Sequence, residues 1–202
     1  MIKNDRFSEK TAKGFAHLLR ASDVSGLADR IIRCLSYGTK AVEGFFLILE
    51  NCDETNVEGV KLLIDARSYY DLEFFLEECD SELAKKICMI LNTSYDLGCF
   101  LDHSSYRTLD IFINMVKSED FGESSAQSLS KLSSYELDRL FRRFDEKGSK
   151  RFLLLLNSEK LDANKLNEKI REYNFDPEFF AKELCREDFN VDEFISKNEL
   201  QK

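Results

Sequence analysis

The chain is 202 residues long, enough for one core of ordinary size, and carries 38 Asp and Glu against 29 Lys and Arg, a formal charge of −9. An apolar content of 43% with 33% charged residues belongs to a folded globular protein and excludes a disordered one. The acidic total repels phosphate and disfavours whole-molecule binding to nucleic acid or to an anionic membrane surface.

A single proline, Pro177, leaves the backbone open to helix almost everywhere, and apolar residues recur at i, i+3, i+4 and i+7 without sustained alternation of period two. Ser8 caps a first predicted helix with Ala12, Phe15, Ala16, Leu18 and Leu19 on its buried stripe. The turn Ser22-Asp23-Val24-Ser25-Gly26 ends it. Leu27, Ala28, Ile31, Ile32 and Leu35 mark a second, stopped by Gly38 in a left-handed position. Thr39 precedes Val42, Phe45, Phe46 and Leu49, and Asn56 precedes Val57, Val60, Leu63 and Ile64. A short helix from Tyr70 carries Leu72, Phe75, Leu76 and Cys79, and Ser81 caps Leu83, Ala84, Ile87, Cys88 and Leu91. Ser94 begins a piece with Leu97, Phe100 and Leu101, and Ser105 caps Leu109, Phe112, Ile113 and Val116. The polar stretch 118–125 reads as a loop and a weak internal boundary in an otherwise single domain of residues 1–202. Ser134 leads into Leu137, Leu140, Phe141 and Phe144, Gly148 ends that helix, and Ser149 starts one with Phe152, Leu153, Leu155 and Leu156. Asp162 caps Leu166, Asp176-Pro177 starts a helix with Phe180 and Leu184, and Asn190 starts the last, with Phe194 and Ile195.

The pattern is therefore all-α, with about twelve to fourteen short helices whose brief connections make neighbours antiparallel pairs. With Phe abundant and Trp absent, the expected core rests on Phe and Leu. Cys34, Cys52, Cys79, Cys88, Cys99 and Cys185 lie mostly on apolar helical faces with no CxxC spacing, as reduced thiols do. The polar N-terminus and the lack of any apolar run near ~20 residues point away from a membrane and towards a reducing compartment, cytoplasm or nucleus.

Four segments share a loose likeness. Leu35-Ser36-Tyr37-Gly38, Ser68-Tyr69-Tyr70, Ser104-Ser105-Tyr106 and Glu146-Lys147-Gly148-Ser149 each lead into an apolar helix, and their starts are spaced by roughly 32 to 42 residues, within the range of two-helix repeats. Over residues 22–185 the chain resembles the HEAT and armadillo-like α-solenoid proteins in helix length, pairing and period. The resemblance implies stacked helix pairs, favoured here over a compact bundle, and an extended surface for a protein partner.

No GxxxxGK[ST], GxGxxG or EF-hand spacing occurs, and only His17 and His103 are available as histidines. His103 follows Cys99 by four residues with Asp102 adjacent, which reads as a helix-end histidine rather than a metal site. The acids Asp71, Glu73, Glu77 and Glu78 read as a solvated face opposite Leu72 and Phe75, or as a patch for a basic partner. Arg139, Arg142, Arg143, Lys147, Lys150 and Arg151 form the one basic cluster, an ordinary charged ridge or a contact for an acidic groove or an RNA backbone, with Arg107 as a possible neighbour. Residues 45–49 and 152–156 are apolar all round, as central helices are. The leading expectation is a non-enzymatic scaffold or adaptor that binds another protein, with no cofactor or metal. The alternatives are an RNA- or ribonucleoprotein-docking factor using the basic cluster and a helical enzyme with an unrecognised site.

Overall fold

A computed structural model of the chain describes residues 7–20, 24–91, 97–171 and 177–202. The protein is all-α. Among the described residues there are fourteen helices: α1 (Glu9–Arg20), α2 (Val24–Leu35), α3 (Thr39–Glu50), α4 (Val57–Ile64), α5 (Tyr69–Glu77), α6 (Ser81–Leu91), α7 (Leu97–His103), α8 (Tyr106–Lys117), α9 (Glu123–Leu129), α10 (Ser134–Phe141), α11 (Glu146–Leu156), α12 (Ala163–Arg171), α13 (Pro177–Cys185) and α14 (Val191–Lys197). The only β pairing among them is an isolated bridge, Leu161 to Gln201. None of the helices is long and apolar enough to cross a membrane.

The contacts divide the chain into two compact units, Met1–Asp102 and His103–Lys202, so the division falls after Asp102 and not in the polar stretch 118–125. Only residues 118–122 of that stretch are a connection, with Phe121 buried; residues 123–125, expected as loop, are the first turn of α9.

Local chemistry starts the helices where orphan N–H groups need an acceptor. Ser8 Oγ accepts the Thr11 N–H at 3.0 Å, Ser105 Oγ that of Thr108 at 3.3 Å, and Asn190 Oδ1 that of Glu193 at 3.0 Å. Asp162 Oδ1 takes the Asn164 N–H at 2.9 Å. Each such cap is worth about 1 kcal/mol. Ser81 is not a cap: Asp80 Oδ1 takes the Glu82 and Leu83 N–H groups at 3.0 and 2.8 Å, a carboxylate one residue earlier in the chain being the stronger acceptor. Ser22, Asp23, Ser94 and Asp176 lie outside the described residues.

Two glycines have roles other than the expected helix stops. Gly38 caps the start of α3 with a φ of −56°, and no described glycine has a positive φ. Lacking a side chain, Gly38 leaves its own N–H to Glu73 Oε1, 2.9 Å away on α5. Gly148 lies within the first turn of α11, whose cap is Asp145. It is small because a Cβ there would come 2.9 Å from Cys185 Sγ.

In the first unit α1 packs on α3 and α3 on α5 and α6, while α2 packs on α4 and α4 on α6. α1 and α3 each have glycine at the sixth helical residue, Gly14 and Gly44, followed by Phe15 and Phe45. A methyl group at Gly14 would collide with the Leu49 carbonyl, and one at Gly44 with that of Leu76, so these helices touch backbone to backbone. α3 is the central helix, with Phe45, Ile48 and Leu49 fully buried.

In the second unit α8 packs on α10 and α11, α9 on α11, α10 on α12 and α13, and α11 on α13 and α14. A chain of phenylalanine rings joins them. Phe112 meets Phe141 at 5.7 Å, Phe141 meets Phe152 at 5.9 Å, Phe152 meets Phe180 at 6.5 Å, and Phe180 meets Phe194 at 5.1 Å, all edge to face. Such pairs add about 0.5–1.5 kcal/mol each beyond the area they bury. α11 is the central helix here, although Leu154 is 51% exposed.

Side-chain hydrogen bonds between distant segments recur at similar separations along the chain. In the first unit Arg33 reaches the Ile64 carbonyl (31 residues), the Ser68 N–H reaches Asp102 (34) and Gly38 reaches Glu73 (35). In the second, Ser125 reaches Asn157 (32), Arg151 the Leu184 carbonyl (33), Ser104 Asp138 (34) and Arg107 the Phe144 carbonyl (37).

Candidate functional site

The acidic residues of α5 serve the neighbouring helix starts. Glu73 accepts the Gly38 N–H, Glu78 pairs with Lys40 at 3.6 Å, and the Glu77 carboxylate also lies beside Gly38. Negative groups there complement the positive end of the α3 dipole. Asp71 is bonded to Ser68, its own helix cap. All four acids are half-buried rather than arrayed on an open face.

The basic segment is split in the same way. Arg142 Nε and Nη2 lie 3.1 and 2.8 Å from the carboxylate of Asp138, which is 2% exposed and also accepts the Ser104 hydroxyl at 3.2 Å. Arg142 further donates to the His103 carbonyl, at the C-terminal end of α7. Arg151 donates to the carbonyls of Leu184 at 2.8 Å and Glu187 at 3.2 Å, and its guanidinium stands 5.5 Å from the Phe189 ring. Both arginines thus satisfy orphan carbonyls at helix ends. Lys150 pairs with Glu146 at 2.6 Å, which holds the Glu146 carboxyl below its usual range. The Gly148 N–H does the same for the capping carboxyl of Asp145. Arg139, Arg143 and Lys147 remain exposed, with Arg139 6.0 Å from the ring centre of Tyr135. The ring centres of His103 and Tyr135 are 6.2 Å apart and nearly perpendicular, and Asp102 is committed to the Ser68 N–H at 2.8 Å. Among the described residues no group of three or more His, Cys, Asp or Glu is placed to hold a metal ion.

A concavity lies elsewhere, between α8 and α11, a groove of about 520 Å³. This is within the size range of ligand sites. Ile111, Met115 and Leu153 give it an apolar floor, while Asp110, Asn114 and the Glu146–Lys150 pair stand at its rim. At the sixth residue of α8, where α1 and α3 have glycine, stands Ile111, whose side chain lines the groove. Phe112, the next residue, is fully buried beneath, as Phe45 is in α3.

None of these groove residues except Lys150 belongs to the clusters marked by charge. The sequence signal was an isoleucine beside Asp110 and Asn114, on a helix whose Leu109, Phe112, Ile113, Met115 and Val116 are buried. Protein-family models, curated proteins and solved structures were all compared with the chain, and none matches it.

Proposed function

We propose that the protein is a non-enzymatic scaffold of stacked helix pairs, α-solenoid-like within each unit, that holds a segment of another protein in the cytoplasm or nucleus. The narrow spread of its long-range side-chain hydrogen bonds, 31 to 42 residues apart among the described residues, carries the reading. A closed bundle would scatter such separations, whereas stacked pairs impose one offset on every bridging side chain. The spread meets the lower edge of the HEAT and armadillo period, about 40–47 residues, and includes the two-helix repeats of about 33–34. Stacked pairs leave grooves between successive helices, and the α8–α11 groove supports the binding role.

The test is purification of the full chain from its native cells, with mass spectrometry of stoichiometric companions and hydrogen exchange of the complex. A companion that slows exchange over the second unit agrees with a scaffold. A chain that purifies alone and turns over a small molecule contradicts it.

One local feature favours a second reading, a factor that docks on RNA or a ribonucleoprotein. Tyr135 is 54% exposed with Arg139 over its ring and the His103 ring nearly perpendicular to it, a surface on which an unpaired base could stack. The net charge of −9 weighs against it. If this reading holds, Arg139→Glu with Arg143→Glu abolishes binding to a twelve-residue oligouridine at low salt; an oligouridine that never binds removes it.

A further inference from the structure

We propose that the groove between α8 and α11 takes a short extended segment of a basic protein, an apolar side chain seated on Ile111, Met115 and Leu153 and a lysine or arginine paired with Asp110. The inference rests on the scaffold reading and names its partner chemistry.

Three observations carry it. Ile111 is half-exposed above the nearly buried Met115 and Leu153, so a hydrophobic side chain laid over it leaves water for an apolar floor. At the rim, Glu146 is already neutralised by Lys150 at 2.6 Å, whereas the exposed carboxylate of Asp110 makes no ion pair with any described residue. The rim therefore carries one uncompensated negative charge, of the same sign as the whole molecule, which steers cations towards it and phosphates away. Finally, the exposed Asn114 side chain makes no hydrogen bond to any described residue and offers both a donor and an acceptor. A main-chain amide presents the complementary pair only when the segment is extended, since a helix satisfies its own amides internally. Apolar floor, carboxylate and amide together specify an extended, basic, hydrophobic peptide.

The experiment pans a phage library of random twelve-residue peptides against the full chain. Enriched peptides, fluorescently labelled, are then titrated into wild type, Asp110→Lys, Asn114→Ala and the remote control Glu9→Lys, each checked for native circular dichroism. Enriched sequences should share an apolar residue within two positions of Lys or Arg. Asp110→Lys should weaken them at least about tenfold, Asn114→Ala by about three- to tenfold, and Glu9→Lys not at all. Replacing the peptide's basic residue by Glu should restore binding to Asp110→Lys. Enriched peptides without a basic residue, or insensitive to both groove substitutions, overturn the groove assignment and leave the scaffold reading standing. No enrichment at all overturns both. A labelled oligouridine that displaces the enriched peptides from wild type would make this groove an RNA surface and end the proposal.

Discussion

Arg142 grips Asp138 through two nitrogens, Nε at 3.1 Å and Nη2 at 2.8 Å, and the carboxylate so held is almost wholly buried. A buried carboxylate stripped of its cation keeps its desolvation penalty and loses the attraction that offset it. Arg142→Met should therefore destabilise the protein by about 2–3 kcal/mol, the lower part of the range because the guanidinium itself is half in water. Arg139→Glu, on an exposed side chain of the helix that holds Asp138, should move stability by less than about 0.5 kcal/mol. Urea unfolding of the two variants checks the contrast. It also bears on the RNA reading, because loss of binding in an Arg142 or Arg151 variant would report damaged packing rather than lost phosphate contacts.

Gly44 and Gly26 should respond oppositely to alanine. At Gly44 the added methyl meets the Leu76 carbonyl and the Cys79 Cβ, so the helices must separate at a cost of about 1–3 kcal/mol or more. At Gly26, in the first turn of α2, the nearest atom is a flexible Arg30 guanidinium nitrogen at 3.8 Å. Gly26→Ala should stabilise by about 0.5–1 kcal/mol through helix propensity alone. Thermal and urea midpoints of both variants are the measurement. A neutral Gly44→Ala would contradict the backbone contact between α3 and α5.

Burial pushes the Cys34 thiol up to about 11 and the Cys52 thiol up to about 12 from an ordinary 9.0, because the folded protein penalises the thiolate. A raised folded value gives stability that is complete below pH 9.0 and is lost as pH rises from there towards 11 and 12. The urea midpoint should hold steady up to pH 9.0 and then fall. A Cys34→Ala, Cys52→Ala variant, less stable at neutral pH, should lose less between pH 9.0 and 11 than wild type does. Equal slopes would remove the thiols from the alkaline transition.

Asp145 gives the opposite pH dependence. The Gly148 N–H, with smaller help from the Cys185 thiol and Lys147, holds its carboxyl below the ordinary 3.8. The stabilisation is present above 3.8 and is lost as pH falls through the lowered folded value. Asp145→Ala should cost about 1 kcal/mol at pH 7 and shrink to nothing in strong acid. A penalty that does not change with pH would mean that the carboxylate's charge plays no part in the cap.

The helices and most of their starts were legible because their causes are local. A Ser8 or Asn190 hydroxyl or amide needs only the next turn of its own chain, and the 3.6-residue period of buried Leu and Phe needs only the helix itself. Gly38 and Gly148 misled because the reason for each is a side chain 35 or more residues away, Glu73 in one case and Cys185 in the other. The basic residues were legible as charges, but their partners are backbone carbonyls at His103 and Leu184, which no pattern of charge reveals. The groove was hidden for a further reason. Its Ile111 occupies the place where α1 and α3 have glycine, and that equivalence emerges only once α1, α3 and α8 are compared turn by turn.

Amide hydrogen exchange of the full chain, alone and saturated with a panned peptide, tests most directly whether stacked helix pairs present the α8–α11 groove to a partner. Slowed exchange at residues 110–118 and 146–153, with α1 and α2 unchanged, is the result expected. Slowing confined to other helices, or none at saturation, would contradict it.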